Sequence, residues 1–152
     1  MNSICIGATM SVTFLGAAAP FPRLHMPLFL DVVIAGFPSP AQDFIERTLD
    51  LNELCIQKPA ATFFVRAQGD SMIDAGIFPG DILVVDRSLQ AEHGDIVIAG
   101  FNAELTVKKL QLRPHPRLLA MNPAYPPIDI PEETELEIFG VVIHVIHSLK
   151  RS

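Results

Sequence analysis

No run of about 18 uncharged apolar residues occurs in the sequence, so no membrane-spanning helix is expected. No block of basic residues occurs either. The chain carries 11 Lys and Arg against 17 Asp and Glu, a formal net charge of −6. A protein that held DNA by neutralising phosphates would present a basic face, so strong direct nucleic-acid binding is not expected. Cysteine is scarce. Cys5 and Cys55 stand far apart and match no zinc or redox spacing. Two free thiols in a reducing compartment is the simpler reading; one long-range disulfide is the alternative. Proline (13) and glycine (9) together make up about one residue in seven, below the level of low-complexity chains. Hydrophobic residues, at 49%, suffice for the buried core of one domain.

The first 22 residues carry no charged side chain. Ala17-Ala18-Ala19 looks superficially like a signal-peptidase site, but a secretory leader also needs a basic start and an unbroken apolar run. Here Arg23 is the first base, and Asn2, Ser3, Gly7, Thr9, Ser11 and Gly16 interrupt the run. The segment reads as a flexible arm, with Met10 as an alternative start. Prolines 20, 22, 27, 38 and 40 then forbid a long helix and bias their predecessors to extended geometry. The arm therefore continues extended, and its apolar runs Leu28–Leu30 and Val32–Ile34 need cover. Ser39-Pro40-Ala41-Gln42 reads as a helix start, with Ser39 as N-cap, Pro40 at the first helical position and Gln42 completing a capping box. Phe44, Ile45 and Leu49 give that short helix an apolar side, and Asp50 follows its last turn.

Beyond Ala61 the sequence changes character. Thr62–Ala67, Ile82–Asp86, Asp95–Phe101, Glu104–Leu112 and Leu136–Ile146 are strand-like runs. They are separated by turn chemistry at Gly69-Asp70, Pro79-Gly80-Asp81, Gly94-Asp95 and Asn122-Pro123. Short strands at this spacing predict a mainly β domain, a barrel or folded sheet rather than alternating βαβ units.

Candidate chemistry is sparse. His144 and His147 lie three apart in a predicted strand and so point to opposite faces, which excludes a shared metal site. His25, His93 and His115 have no acid or cysteine at ligand spacing, so no metal and no cofactor are expected. Asp70, Asp74, Asp81, Asp86 and Asp95 sit in turns, where Asp serves backbone hydrogen bonds. What remains is Ser71 in Gly69-Asp70-Ser71-Met72-Ile73-Asp74. A turn serine is the bland reading, and a nucleophilic one needs a base. Lys108 and Lys109 are the adjacent lysines in a strand, and alternation leaves mixed faces on both sides. Periodicity does not choose between them. Lys108 shares its side with Leu110 and Leu112, which favours its burial slightly.

Several ordered blocks carry a resemblance. They are Gly36-Phe37-Pro38-Ser39-Pro40-Ala41, Gly69–Asp74, His93-Gly94-Asp95-Ile96-Val97-Ile98, the run from Leu105 to Pro114, and Phe139-Gly140-Val141-Val142-Ile143-His144. Together they resemble the LexA/UmuD self-cleaving serine peptidase family, in register from about Pro27 to Leu149.

The resemblance implies a family-like folded β-sheet or barrel peptidase domain over residues 36–152, with one short helix. Residues 1–35 would be the arm removed by self-cleavage between Ala35 and Gly36. Ala35 stands where some family members carry cysteine, and both are small. Ser71 falls on the family nucleophile and Lys108 on its general base; the N–H groups around Ser71-Met72 are candidates for the oxyanion hole. By the same resemblance the protein would act in SOS mutagenesis in the cytoplasm, as a homodimer. Self-cleavage would be promoted by RecA filaments on single-stranded DNA, and the shortened product would join a UmuC-type polymerase in error-prone translesion synthesis. A repressor of the same family would need a DNA-binding domain before the cut, which 35 proline-rich, charge-poor residues cannot form. A signal peptidase would need a membrane anchor. A catalytically silent binding subunit, with Ser71 and Lys108 only structural, stays open on sequence alone.

Overall fold

The computed structural model describes residues 3–4, 11–17, 26–29, 45–101 and 103–150. In chain order the strands are β1 (Ser3–Ile4), β2 (Ser11–Ala17), β3 (Met26–Phe29), β4 (Ile45–Leu49), β5 (Thr62–Gln68), β6 (Ile82–Asp86), β7 (Ile96–Phe101), β8 (Glu104–Gln111), β9 (Arg117–Leu119), β10 (Ile128–Asp129) and β11 (Glu137–Ile146). The helix α1 (Leu51–Cys55) lies between β4 and β5. Among the described residues, nine strands form one antiparallel sheet in the order β1-β2-β5-β6-β11-β7-β8-β9-β10, and β3 pairs with β4 in a separate ribbon. The protein is mainly β, as its short strands and turn spacing predict. No helix of the described residues is long and apolar enough to cross a membrane.

All five strand-like runs form strands, with ends displaced by no more than one residue. Their side chains explain why. In β7, Val97 and Ala99 point into one apolar cluster with Leu110, Leu118 and Val141. Ile98, between them, points into another with Phe63, Val65, Met72, Leu83 and Val107. Period-2 alternation therefore buries both faces of the central strands, which a flat sheet with one wet side does not do.

Where β11 crosses from β7 to β6, its register shifts between Ile138 and Gly140 and again between Val142 and His144. Gly140 sits at that crossing. A Cβ there would lie 2.5 Å from Val85 Cγ1 and 3.1 Å from the Asp86 carbonyl oxygen, so only glycine lets the strands approach. Gly140→Ala should therefore lower stability by about 1–3 kcal/mol, the usual cost of overpacking. A denaturant-midpoint shift within error of wild type would contradict this.

Two expectations are corrected. The segment expected to be a flexible arm contains a strand: β2 pairs along β5 from Ser11↔Gln68 to Ala17↔Phe63, with Val12 buried and the Phe14 ring 5.7 Å from that of Phe63. Burial of Val12 and the ladder with β5 outweigh the interrupted apolar pattern. The helix expected to run up to Asp50 is a strand over Ile45–Leu49, because Met26–Phe29 offers it a ladder, a tertiary partner that local capping propensity does not register. Its expected cap, Ser39 to Gln42, and the proposed cut at Ala35-Gly36 lie outside the described residues. The helix that does form is separated from β4 by the single residue Asp50, which acts as its N-cap by accepting from the Asn52 N–H at 2.9 Å.

Candidate active site

Ser71 is placed by the turn that leaves β5. Gly69 takes φ 85°, the left-handed region where a side chain is disfavoured, and so turns the chain sharply beneath the sheet. Ser71 and Met72 are then fully buried. Met72 is part of the first apolar cluster, and its carbonyl accepts from the N–H groups of Ala75 and Ile77, closing a short 3₁₀ turn over Ile73–Ala75.

A distant segment clamps this turn. The Met121 N–H donates to the Ser71 carbonyl at 2.8 Å, and the Asp74 N–H donates to the Met121 carbonyl at 2.8 Å. Asn122 Nδ2 donates to the Asp70 carbonyl at 2.9 Å, and the Tyr125 hydroxyl donates to the Asp70 carboxylate. That carboxylate, by accepting the phenolic proton, raises the Tyr125 pKa above its ordinary value; desolvation adds to the shift. Sequence reasoning read Asn122-Pro123 only as a turn and missed Met121 and Tyr125 altogether. No local pattern signals a clamp between segments about fifty residues apart.

Lys108 comes from the middle of β8. Its Cα pairs with Val97 on one side of the ladder, and its side chain is 0% exposed. Nζ lies 3.1 Å from Ser71 Oγ, 3.2 Å from Thr106 Oγ1 and 3.1 Å from the Val107 carbonyl oxygen. The structure thus brings Ser71 and Lys108 together. Lys109, left open by periodicity, is only half-buried and has no such contact with Ser71. Thr106, two residues before Lys108 in β8, is fully buried and also holds the amine. Leu110 is buried, but Leu112 is exposed, so the expected lining by Leu112 is not formed.

The arrangement has a definite chemical capacity. A hydroxyl and an amine at hydrogen-bond distance, both out of water, can pass a proton between them. Burial disfavours an ammonium relative to a neutral amine.

The other candidates serve the fold. Asp81 accepts from the Phe78 N–H at 2.8 Å, Asp86 from the Ser88 N–H at 2.7 Å, and Asp95 from the Glu92 N–H at 2.9 Å. His93 Nδ1 accepts from the Leu112 N–H at 2.9 Å. His147 follows the end of β11 and bonds Asp81, while His115 lies 3.4 Å from Asp129. Cys55 is a free thiol whose pKa burial raises; Cys5 lies outside the described residues.

Comparison with known proteins points the same way. The sequence pattern of the Peptidase S24-like family matches residues 27–143. Over 124 residues the chain is 56% identical to Protein SamA of Salmonella typhimurium, covering 82% of this chain and 86% of SamA. It is 56% identical over 126 residues to Protein ImpA of Escherichia coli, covering 80% of this chain and 83% of ImpA. Protein MucA of Escherichia coli is 50% identical over 124 residues, with 80% and 85% covered.

Proposed function

We propose self-cleavage as the function from this premise: the chain belongs to the Peptidase S24-like family and is a UmuD-like member of the LexA/UmuD peptidases. The observation that carries the reading is the 3.1 Å approach of Lys108 Nζ to Ser71 Oγ, with both side chains fully buried.

The chemistry follows from the pair. A lysine in water has a pKa near 10.4, so holding it neutral at pH 7 costs about 4.6 kcal/mol. Desolvation lowers that cost by penalising the charged form. Neutral Lys108 accepts the Ser71 proton as Oγ attacks the carbonyl carbon of Ala35. Negative charge develops on the carbonyl oxygen, where the Ser71 and Met72 N–H groups are the proposed donors. Lys108 then returns the proton to the Gly36 nitrogen, the C–N bond breaks, and an acyl ester remains on Ser71. Water attacks that ester, Lys108 takes a proton from the water and passes it to Ser71 Oγ as the ester C–O bond breaks, so Ser71 is restored and the Ala35 carboxyl group is released. Alanine and glycine at the cut have little bulk to exclude from a narrow cleft.

In the cell this reaction belongs to SOS mutagenesis, the role of UmuD-like proteins. RecA filaments on single-stranded DNA promote the cut, and the product beginning at Gly36 joins a UmuC-type polymerase for translesion synthesis. The protein acts as a cytoplasmic homodimer. DNA contact falls to RecA and the polymerase, in keeping with a net charge of −6.

The direct test is intact mass after incubation with an activated RecA filament. A fragment starting Gly36-Phe37-Pro38 is the expected product. An unchanged mass would favour a silent binding subunit. A finer test addresses the clamp on the nucleophile turn. Tyr125→Phe removes one hydrogen bond to Asp70 and should slow self-cleavage a few-fold. An unaltered rate would show that Asp70 needs no such anchor.

A further inference from the structure

The strands that precede the proposed cut are not paired with one another alone. β2 lies along β5, and β3 lies along β4, so each forms a ladder with a strand on the far side of Ala35-Gly36. The β2 ladder is rooted in the core. Val12 is 3% exposed and belongs to the same apolar cluster as Phe63, Val65 and Met72. Val12 and Phe14 also wall an apolar groove of about 630 Å³, whose other walls include Ile98, Leu105 and Phe139.

Breaking one peptide bond changes none of those contacts. We propose that β2 holds residues 1–35 on the protein after the cut, so that the immediate product is a noncovalent two-piece molecule. The outer edge of β5, and the groove that β2 walls, become open to a partner only when that fragment leaves. Strand addition to a sheet edge is a general mode of peptide recognition, with backbone bonds supplying affinity and alternate side chains specificity. Here the edge is occupied by the chain's own segment, and cleavage alone does not vacate it. Cutting and release are then separate events, and the second depends on dilution or on a competing strand.

This inference rests on the self-cleavage reading for the position of the cut, and the experiment separates the two. In one arm, wild-type protein is allowed to cut itself, and denaturing mass spectrometry records whether it has. In the other, a Ser71→Ala chain with a sequence-specific protease site inserted between Ala35 and Gly36 is cut from outside. Both are analysed by size exclusion and native mass spectrometry at micromolar protein. The fragment should co-elute with the body in either arm. Val12→Asp, and more mildly Phe14→Ala, should weaken retention, the former at least tenfold. Circular dichroism checks that the body stays folded, and Phe14→Ala remains informative if Val12→Asp does not fold. Prompt loss of the fragment from the externally cut, folded protein would overturn the inference, as would retention unaffected by both substitutions. Failure of wild type to cut, with retention intact in the externally cut chain, would count against the peptidase reading alone.

Discussion

Ser71→Ala and Lys108→Ala should each lower the rate of self-cleavage by more than about a thousandfold, the scale lost when one member of a nucleophile–base pair is removed. Ser71→Ala deletes only the attacking oxygen and leaves the Met72 packing and the bond from the Met121 N–H to the residue-71 carbonyl in place. Lys108→Ala removes the amine that lies against Ser71, Thr106 and the Val107 carbonyl. Lys109→Ala should keep most of the activity, because that side chain is half-buried elsewhere on β8. The measurement is the yield of the Gly36 fragment with time, beside a thermal melt of each variant. A dead Lys109→Ala with an active Lys108→Ala would reverse the assignment.

The second large effect is on pH. If the base is a buried lysine, the reactive species is its neutral form, which is the minor form below the pKa. There the intrinsic rate should rise about tenfold per pH unit and level off once the amine is mostly neutral. Burial acts to lower that pKa from the free value near 10.4, so the levelling falls earlier than for a lysine in water. A histidine base would level off near about pH 6.5. A RecA filament that only stabilises the cleavable pose adds no catalytic group. It should therefore raise the rate by a similar factor along the whole rising limb and leave the shape of the profile unchanged. Fragment yield from about pH 6 to about pH 10, at constant ionic strength and with and without filament, tests both statements. A flat intrinsic profile above about pH 7, in protein that stays folded, would sink the lysine base.

The strands after Ala61 were legible because β-branched and apolar residues run between Gly, Pro and Asp turns, and the core rewards that pattern on both faces. The same two-sided burial made the lysine illegible. Thr106, Val107 and Lys108 are consecutive and all fully buried, so alternation could not say which face of β8 held a site. The family resemblance chose Lys108, whose Nζ lies 3.1 Å from Ser71 Oγ in the structure. Residues 11–17 and 45–49 failed for a different reason. Each becomes a strand through a partner far along the chain, β5 for one and β3 for the other, and neither partner is visible from local propensity. The Met121–Tyr125 clamp was hidden in the same way.

One feature of β8 bears on control. Lys108 sits mid-strand between β7 and β9, its main chain bound into a ladder, while the Ser71 turn is tied to Met121 and Asn122. Neither half of the pair is mounted on a hinge. If Ser71 and Lys108 act as proposed, the two side chains already stand together before any substrate arrives, and switching does not consist in bringing serine to lysine. The rate would then depend on two factors, the neutral fraction of the lysine and the fraction of time the scissile dipeptide spends in reach, and the second is a property of delivery. At a fixed pH, single-turnover kinetics in such a molecule would report the occupancy of one pose, and whatever raises that occupancy would count as an activator without touching the chemistry.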